Sequence, residues 1–357
     1  MLWNVFCKVI DNHGDIGVCW RLGADLASRA EQVRLWIDDA SALRWMAPPG
    51  HCGIEVRRWD DDTCFSSDDV GDVLIEAFSC EIPSDFIALH GDSGVAKRIW
   101  ISLQYLSAEA ASGRNHGLAS PVPGAVAAGL DKYFFYPGFQ ADTGGLLRES
   151  GLAGRQRAFN AAQWLQGFGI ERGAARLISL FSYEPSALPG LLTDLALRPD
   201  PTRLLVTAGR ATAAVHAAIG ELKGCNPAWN QHQALKLTYL PLLSQSEFDH
   251  LLWSCDVNFV RGEDSLVRAL WAGRPVVWHI YRQNHDAHHA KLQAWLDWLQ
   301  APPSLRAFHD AWNARTDAPL PALDEAHWAP CFEGMRTQLL QQTDLCTRLL
   351  NFIAERR

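Results

Sequence analysis

The stretch Val9-Ile10-Asp11-Asn12-His13-Gly14-Asp15-Ile16-Gly17-Val18-Cys19-Trp20, "VIDNHGDIGVCW", decides how this chain is read. It ends an apolar run over residues 2–10 that has the composition of a buried strand, and it leads into residues 18–30, which carry helical spacing. Gly14 and Gly17 suit a tight strand-to-helix turn, because glycine enters backbone conformations that other residues resist. Such a turn needs no carboxylate, yet two are present. Open parallel sheets bind ligands outside the carboxyl ends of their strands, so Asp11 and Asp15 would lie close together at a ligand crevice. The plainer role for Asp15 is to cap the following helix, a position that Asp favours.

Outward from this turn, apolar runs at 33–37, 73–78 and 98–103 alternate with amphipathic stretches, the pattern of βαβ units around a parallel sheet. Residues 107–147 are rich in Gly, Pro, Ser and Ala and read as long irregular loops, which in a compact protein are functional or linking. A second alternating series follows, with strands expected at 177–182, 203–207, 235–240, 257–260 and 275–280. A long helix-like stretch at 334–357 closes the chain, with Leu339, Leu340, Leu345, Leu349, Leu350 and Ile353 near a 3.6-residue period. Two domains are expected, 1–150 and 151–357, with the last helix free to pack back on the first. Two α/β series suggest a GT-B arrangement, two Rossmann-like lobes facing across a cleft. Periodicity alone fits a two-lobed binding protein or a dehydrogenase equally well.

Length and composition narrow the options. At 357 residues the chain exceeds one ordinary core, and 48% hydrophobic with 20% charged residues is usual for a globular protein. A formal charge of −8 argues against direct nucleic-acid binding, which calls for a basic face. Nine scattered cysteines without a CxxC pair indicate neither a zinc site nor a disulfide framework, and they suit a reducing cytoplasm. No apolar run approaches the ~20 residues of a membrane span, and no signal-like segment opens the chain.

The second informative stretch is residues 258–278, "NFVRGEDSLVRALWAGRPVVW". A strand is expected to end at Val260, Arg261 and Gly262 to turn the chain, and a helix to start around Glu263, Asp264 and Ser265. Gly273 and Pro275 then act as stop signals. The N–H groups and partial positive charge of a helix start suit a pyrophosphate. Arg261 would add a forked, charge-assisted contact and Ser265 a hydroxyl. The alternative is that Glu263 and Asp264 only cap the helix and complement its dipole. In "LISLFSYEPSAL", Phe181, Tyr183 and Glu184 close a strand at the same inferred crevice, an aromatic to face a base and a hydroxyl to reach a phosphate, although packing accounts for any single aromatic. Gln245 and Phe248 are placed in a loop before a helix, an amide and a ring able to read a pyrimidine. His279, His285, His288 and His289 cluster, and His285 and His289 have i,i+4 spacing, but HEXXH is absent and no metal is expected.

Taken together, "DNHGDIGVCWRL", "YFFYPGFQADTGGLLRE", "LFSYE", "FVRGEDSLVRALWAG" and "VVWHIY" resemble the EarP family of bacterial arginine rhamnosyltransferases, in order from residue 10 to about 290. The resemblance implies a GT-B enzyme without a metal or other cofactor. It would move L-rhamnose from dTDP-β-L-rhamnose, with inversion, to an arginine of elongation factor P, which rescues ribosomes stalled on polyproline. It implies catalytic roles for Asp11, Asp15 and Glu263, with Asp15 the base. It puts the nucleotide on Phe181, Tyr183, Gln245, Phe248, Arg261, Asp264 and Ser265, and adds Asn12, His13, Gly14, Gly17 and Gly262 to the substrate-binding residues, with a role for His13 in acceptor binding left open. His13 stands where the family pattern has an aromatic, and Pro185 where it has Asn. Related sugar-nucleotide transferases, an epimerase of similar fold, and a non-enzymatic nucleotide- or protein-binding module are the alternatives.

Overall fold

The computed structural model describes residues 1–9, 13–91, 98–122, 130–282 and 287–357. The chain forms two compact units: Met1–Leu152 with Gln341–Arg357, and Ala153–Leu340.

In the first unit seven strands form one sheet: β1 (Leu2–Cys7), β2 (Gln32–Ile37), β3 (Ile54–Arg58), β4 (Val73–Ala77), β5 (Ile99–Leu103), β6 (Ala119–Ser120) and β7 (Asp131–Phe135). Their order is β3-β2-β1-β4-β5-β7-β6, parallel except for the β6–β7 pair. β1 is central, and its Trp3, Val5 and Cys7 enter one apolar cluster while Phe6 enters another. A strand buried on both faces is what a continuous apolar run encodes in a parallel sheet. The first cluster is completed by Leu345, Leu349, Phe352 and Ile353 of the helix Leu345–Ala354, so the end of the chain builds the core of the first unit.

The second unit repeats the architecture with β8 (Arg176–Leu180), β9 (Thr202–Val206), β10 (Leu235–Tyr239), β11 (Val257–Arg261) and β12 (Val276–His279), all parallel, in the order β10-β9-β8-β11-β12. In each sheet the strand order reverses beside its first strand, at β1/β4 and at β8/β11. In open α/β sheets that reversal opens a crevice at the carboxyl ends.

Several expectations are corrected. The first helix runs Gly14–Ser28, with Gly14 and Gly17 inside it, and Gly14 has no left-handed backbone, so these glycines are helical and not turn residues. The segment 107–147 is not all loop: it holds the helix Ala110–Asn115, β6 and β7, short elements whose aromatic DKYFF core is hidden between Gly- and Pro-rich flanks. The closing stretch is two helices, Glu325–Leu340 and Leu345–Ala354. Asp344 accepts the Thr347 N–H and starts the second one where the chain returns to the first unit. Gln245 and Phe248 lie in the first turn of the helix Gln245–Ser254, not in a loop. Ser244 and Glu247 form a reciprocal capping box that starts the helix at that point.

Candidate active site

In the second unit the predicted residues converge at the β8/β11 reversal. β8 leads into Phe181 and Tyr183, and β11 ends at Arg261. The Arg261 guanidinium lies 4.7 Å from the Phe181 ring centroid and 4.8 Å from that of Tyr183, two cation–π contacts on one fork. Phe248 meets Phe181 edge to face at 5.1 Å, which ties the helix Gln245–Ser254 to the end of β8. Gln245, at the start of that helix, is nearly buried.

The turn after β11 is fixed by its own chemistry. Gly262 has φ +67°, a left-handed conformation that costs a side-chain-bearing residue ~1–2 kcal/mol. Its carbonyl accepts the Trp278 indole N–H at 2.7 Å, and the Ser265 hydroxyl donates to the Arg261 carbonyl. The helix Asp264–Ala272 follows and ends at left-handed Gly273, as its stop signals predict. Glu263 occupies its N-cap position without a capping hydrogen bond from its side chain among the described residues; the carboxylate is paired with Lys291 of the helix Ala287–Trp298. A helix start is thereby presented at the carboxyl edge of the sheet, the arrangement that binds phosphate.

Sequence reasoning missed several neighbours. Arg210 opens the helix Arg210–Cys225, donates Nε and Nη2 to the Glu184 carboxylate at 2.7 and 2.6 Å, and stands 4.9 Å from the Tyr183 ring centroid. Its signal was available: Thr207-Ala208-Gly209-Arg210 repeats the order of strand, glycine, charged residue and helix seen after β11. The Arg210 hydrogen bonds hold the Glu184 carboxyl below its ordinary value, and the Arg261 charge acts in the same direction. His279 and Tyr281 contact Tyr183 edge to face at 5.2 and 5.8 Å. Burial pushes the His279 imidazole down to about 4, so it is neutral near pH 7. His279 therefore belongs to this cluster, while His285 lies outside the described residues. No group of three His, Cys, Asp or Glu among the described residues could hold a metal ion.

In the first unit, Asp11 and Asn12 also lie outside the described residues. His13, Gly14, Asp15 and Gly17 are together at the start of the helix Gly14–Ser28, beyond the end of β1. His13 is the N-cap residue, with its carbonyl accepting the Gly17 N–H at 3.1 Å, and Asp15 is in the first turn. A carboxylate there is stabilised by the helix dipole. Across the β1/β4 reversal, Phe78 and Ser79 follow β4 with φ +56° and +58°, and Phe78 stacks on Tyr105 at 4.8 Å. Two consecutive left-handed residues without a glycine are strain of the kind that collects at functional sites.

Two Rossmann-like α/β units, the second with an arginine, aromatic rings and a helix start gathered at its sheet reversal, define a GT-B glycosyltransferase. Solved structures share this fold. They include MurG of Acinetobacter baumannii (9% identity, TM-score 0.52, 99% of each chain) and Arabidopsis thaliana UGT89C1 with UDP-L-rhamnose (10%, 0.53, 99% of this chain and 98% of that one). The family model described as "Elongation-Factor P (EF-P) rhamnosyltransferase EarP" matches residues 3–354. The chain belongs to the EarP family. It is 41% identical to the protein-arginine rhamnosyltransferase of Pseudomonas aeruginosa over 99% of both chains, and 39% identical to that of Pseudomonas putida over 98% of both. A structure described as "Structural basis for EarP-mediated arginine glycosylation of translation elongation factor EF-P" matches at 30% identity and TM-score 0.65 over 99% of each chain.

Proposed function

We propose that this enzyme transfers L-rhamnose from dTDP-β-L-rhamnose to an arginine side chain of elongation factor P, with inversion and without a metal, in the cytoplasm. The observation that carries the donor half is Arg261, held against Phe181 and Tyr183 beside the start of the helix Asp264–Ala272. A fixed guanidinium and a helix start meet the charge that grows on the departing diphosphate, the task a divalent cation performs elsewhere. Phe181 and Phe248 offer ring faces and edges to the base, and Gln245 offers an amide. Tyr183, Gly262, Asp264 and Ser265 shape the phosphate and sugar end.

The acceptor half is carried by chemistry. A guanidinium has a pKa above ~12 and is a poor nucleophile until a proton leaves with formation of the C–N bond. Asp15 takes that proton, and Asp11 orients the fork by a bidentate contact. Asn12, His13, Gly14 and Gly17 surround the acceptor. The arginine nitrogen attacks the anomeric carbon as its bond to the dTDP oxygen breaks on the opposite face, so one displacement inverts the configuration. Glu263, paired with Lys291, orients the sugar. Nine free cysteines suit a reducing compartment, and no described helix is long and apolar enough to cross a membrane.

The test is incubation with elongation factor P and dTDP-L-rhamnose, followed by peptide mass spectrometry. A rhamnose-sized increment on one arginine, formed in the presence of a chelator, is expected. Transfer only from UDP-sugars, transfer that requires added metal, or no increment at all would each defeat the reading.

A further inference from the structure

The donor cluster contains a second arginine that the residues singled out in the sequence do not include. Phe248, Phe181, Arg261, Tyr183 and Arg210 form a continuous chain of ring and guanidinium contacts, with successive separations of 5.1, 4.7, 4.8 and 4.9 Å. Arg210 is the first residue of a 16-residue helix that starts, after left-handed Gly209, at the same carboxyl edge of the sheet as Arg261. Tyr183 is thus shared by the two arginines, and Glu184 is bonded to one of them, Arg210. A guanidinium at the start of a long helix on the carboxyl edge of the sheet repeats the arrangement at Arg261 and the helix Asp264–Ala272, and that combination suits an anion.

We propose that Arg210 is a second phosphate-binding residue of the donor site, and that Glu184 positions its guanidinium. This rests on the nucleotide-diphosphate reading given above. Glu184 engages the Nε/Nη2 edge in a bidentate contact and so fixes the rotamer of a long, half-exposed side chain before ligand arrives. Holding the fork in advance removes part of the ordering cost of binding. Tyr183 contacts both arginines, so a diphosphate has a phosphate group to offer each of them where a monophosphate has one in all.

Calorimetric titration of the full chain with dTDP, dTMP and thymidine tests this, with folding checked by circular dichroism. Arg210→Ala is expected to weaken dTDP binding by about tenfold, to weaken dTMP less, and to leave thymidine unchanged. Arg210→Lys is expected to recover part of the loss, since a point charge cannot reproduce the fork. Glu184→Ala is expected to weaken dTDP by a smaller factor and to add nothing to Arg210→Ala in the double variant. Unchanged dTDP affinity in Arg210→Ala, or an equal loss for thymidine, overturns the phosphate role. Tighter dTDP binding in Glu184→Ala overturns the positioning role, because the carboxylate would then be repelling the ligand. Failure of the unaltered protein to bind any of the three would instead strike the donor reading itself.

Discussion

Arg268 donates Nε and Nη2 to the two carboxylate oxygens of Asp249 at 2.8 and 2.6 Å, and both side chains are at least 97% buried. The pair joins the helix Gln245–Ser254, which carries Gln245 and Phe248, to the helix Asp264–Ala272, which follows Arg261, Gly262 and Glu263. It therefore sets the separation between the ring that meets Phe181 and the helix start assigned to phosphate.

Removing one member of this pair leaves a buried charge uncompensated. Arg268→Ala is expected to lower unfolding stability by about 3–5 kcal/mol in urea titrations, while replacing both members with apolar residues of similar volume recovers much of that loss. Arg155, 3.9 Å from Asp249 and half exposed, is too loosely placed to substitute. A loss below about 1 kcal/mol in Arg268→Ala, the range of exposed pairs, would show that the contact is not structural.

Arg261 depends on shape as well as charge, because a flat guanidinium fits against two rings where an ammonium does not. Arg261→Lys is expected to weaken dTDP binding by about tenfold or more in calorimetry, with the fold retained. Full affinity in the lysine variant would reduce the role of Arg261 to charge alone.

Asp15 is assigned the proton of the acceptor guanidinium. Asp15→Asn keeps the size and position of the side chain in the first helical turn but cannot take a proton. The turnover number is expected to fall by about 100-fold or more, with dTDP affinity unchanged and stability lowered by no more than about 1 kcal/mol, the contribution of a first-turn carboxylate. Substantial turnover in a folded Asp15→Asn protein would remove it as the base.

His309 makes stability depend on pH. Its Nε2 accepts the Trp278 backbone N–H at 3.0 Å and its Nδ1–H donates to the Leu305 carbonyl at 2.9 Å, an arrangement open only to the neutral ring. Burial pushes its pKa down to about 4, from an ordinary 6.5. Between those values the unfolded chain holds the proton and the folded chain does not, so stability falls as pH drops from about 6.5 towards 4, by up to about 3 kcal/mol from this residue. His90, His116 and His279 are depressed to about 4 chiefly by burial, and they act in the same window and with the same sign. The stability difference between the unaltered protein and His309→Gln, taken from denaturant titrations, should therefore shrink between pH 7.5 and pH 5. A difference independent of pH would contradict the assignment.

Much of this was legible from local pattern. A buried strand declares itself as an apolar run and a helix start as a glycine followed by acidic or small polar residues, so β8, β11 and the helix after Gly262 were found within a residue or two, while β1 stops at Cys7, three residues short of the expected end. Where local signals were weak or overlaid, the reading failed: β7 was lost among glycines and prolines, and the closing helical period ran through the break at 341–344 because both helices share that period.

By itself the sequence determined the two α/β series, the helix that follows β1 with Asp15 near its start, and the strand–glycine–helix turn at Arg261, since each depends on residues adjacent along the chain. Tertiary structure alone decided that Arg261 rests on Phe181 and Tyr183, that Arg268 clasps Asp249, that Arg210 reaches Glu184, and that the last helix completes the first core. Those contacts join residues 19 to more than 300 positions apart. Strand order and crossover bring them together, and periodicity reports only which face of an element is buried, never which partner buries it.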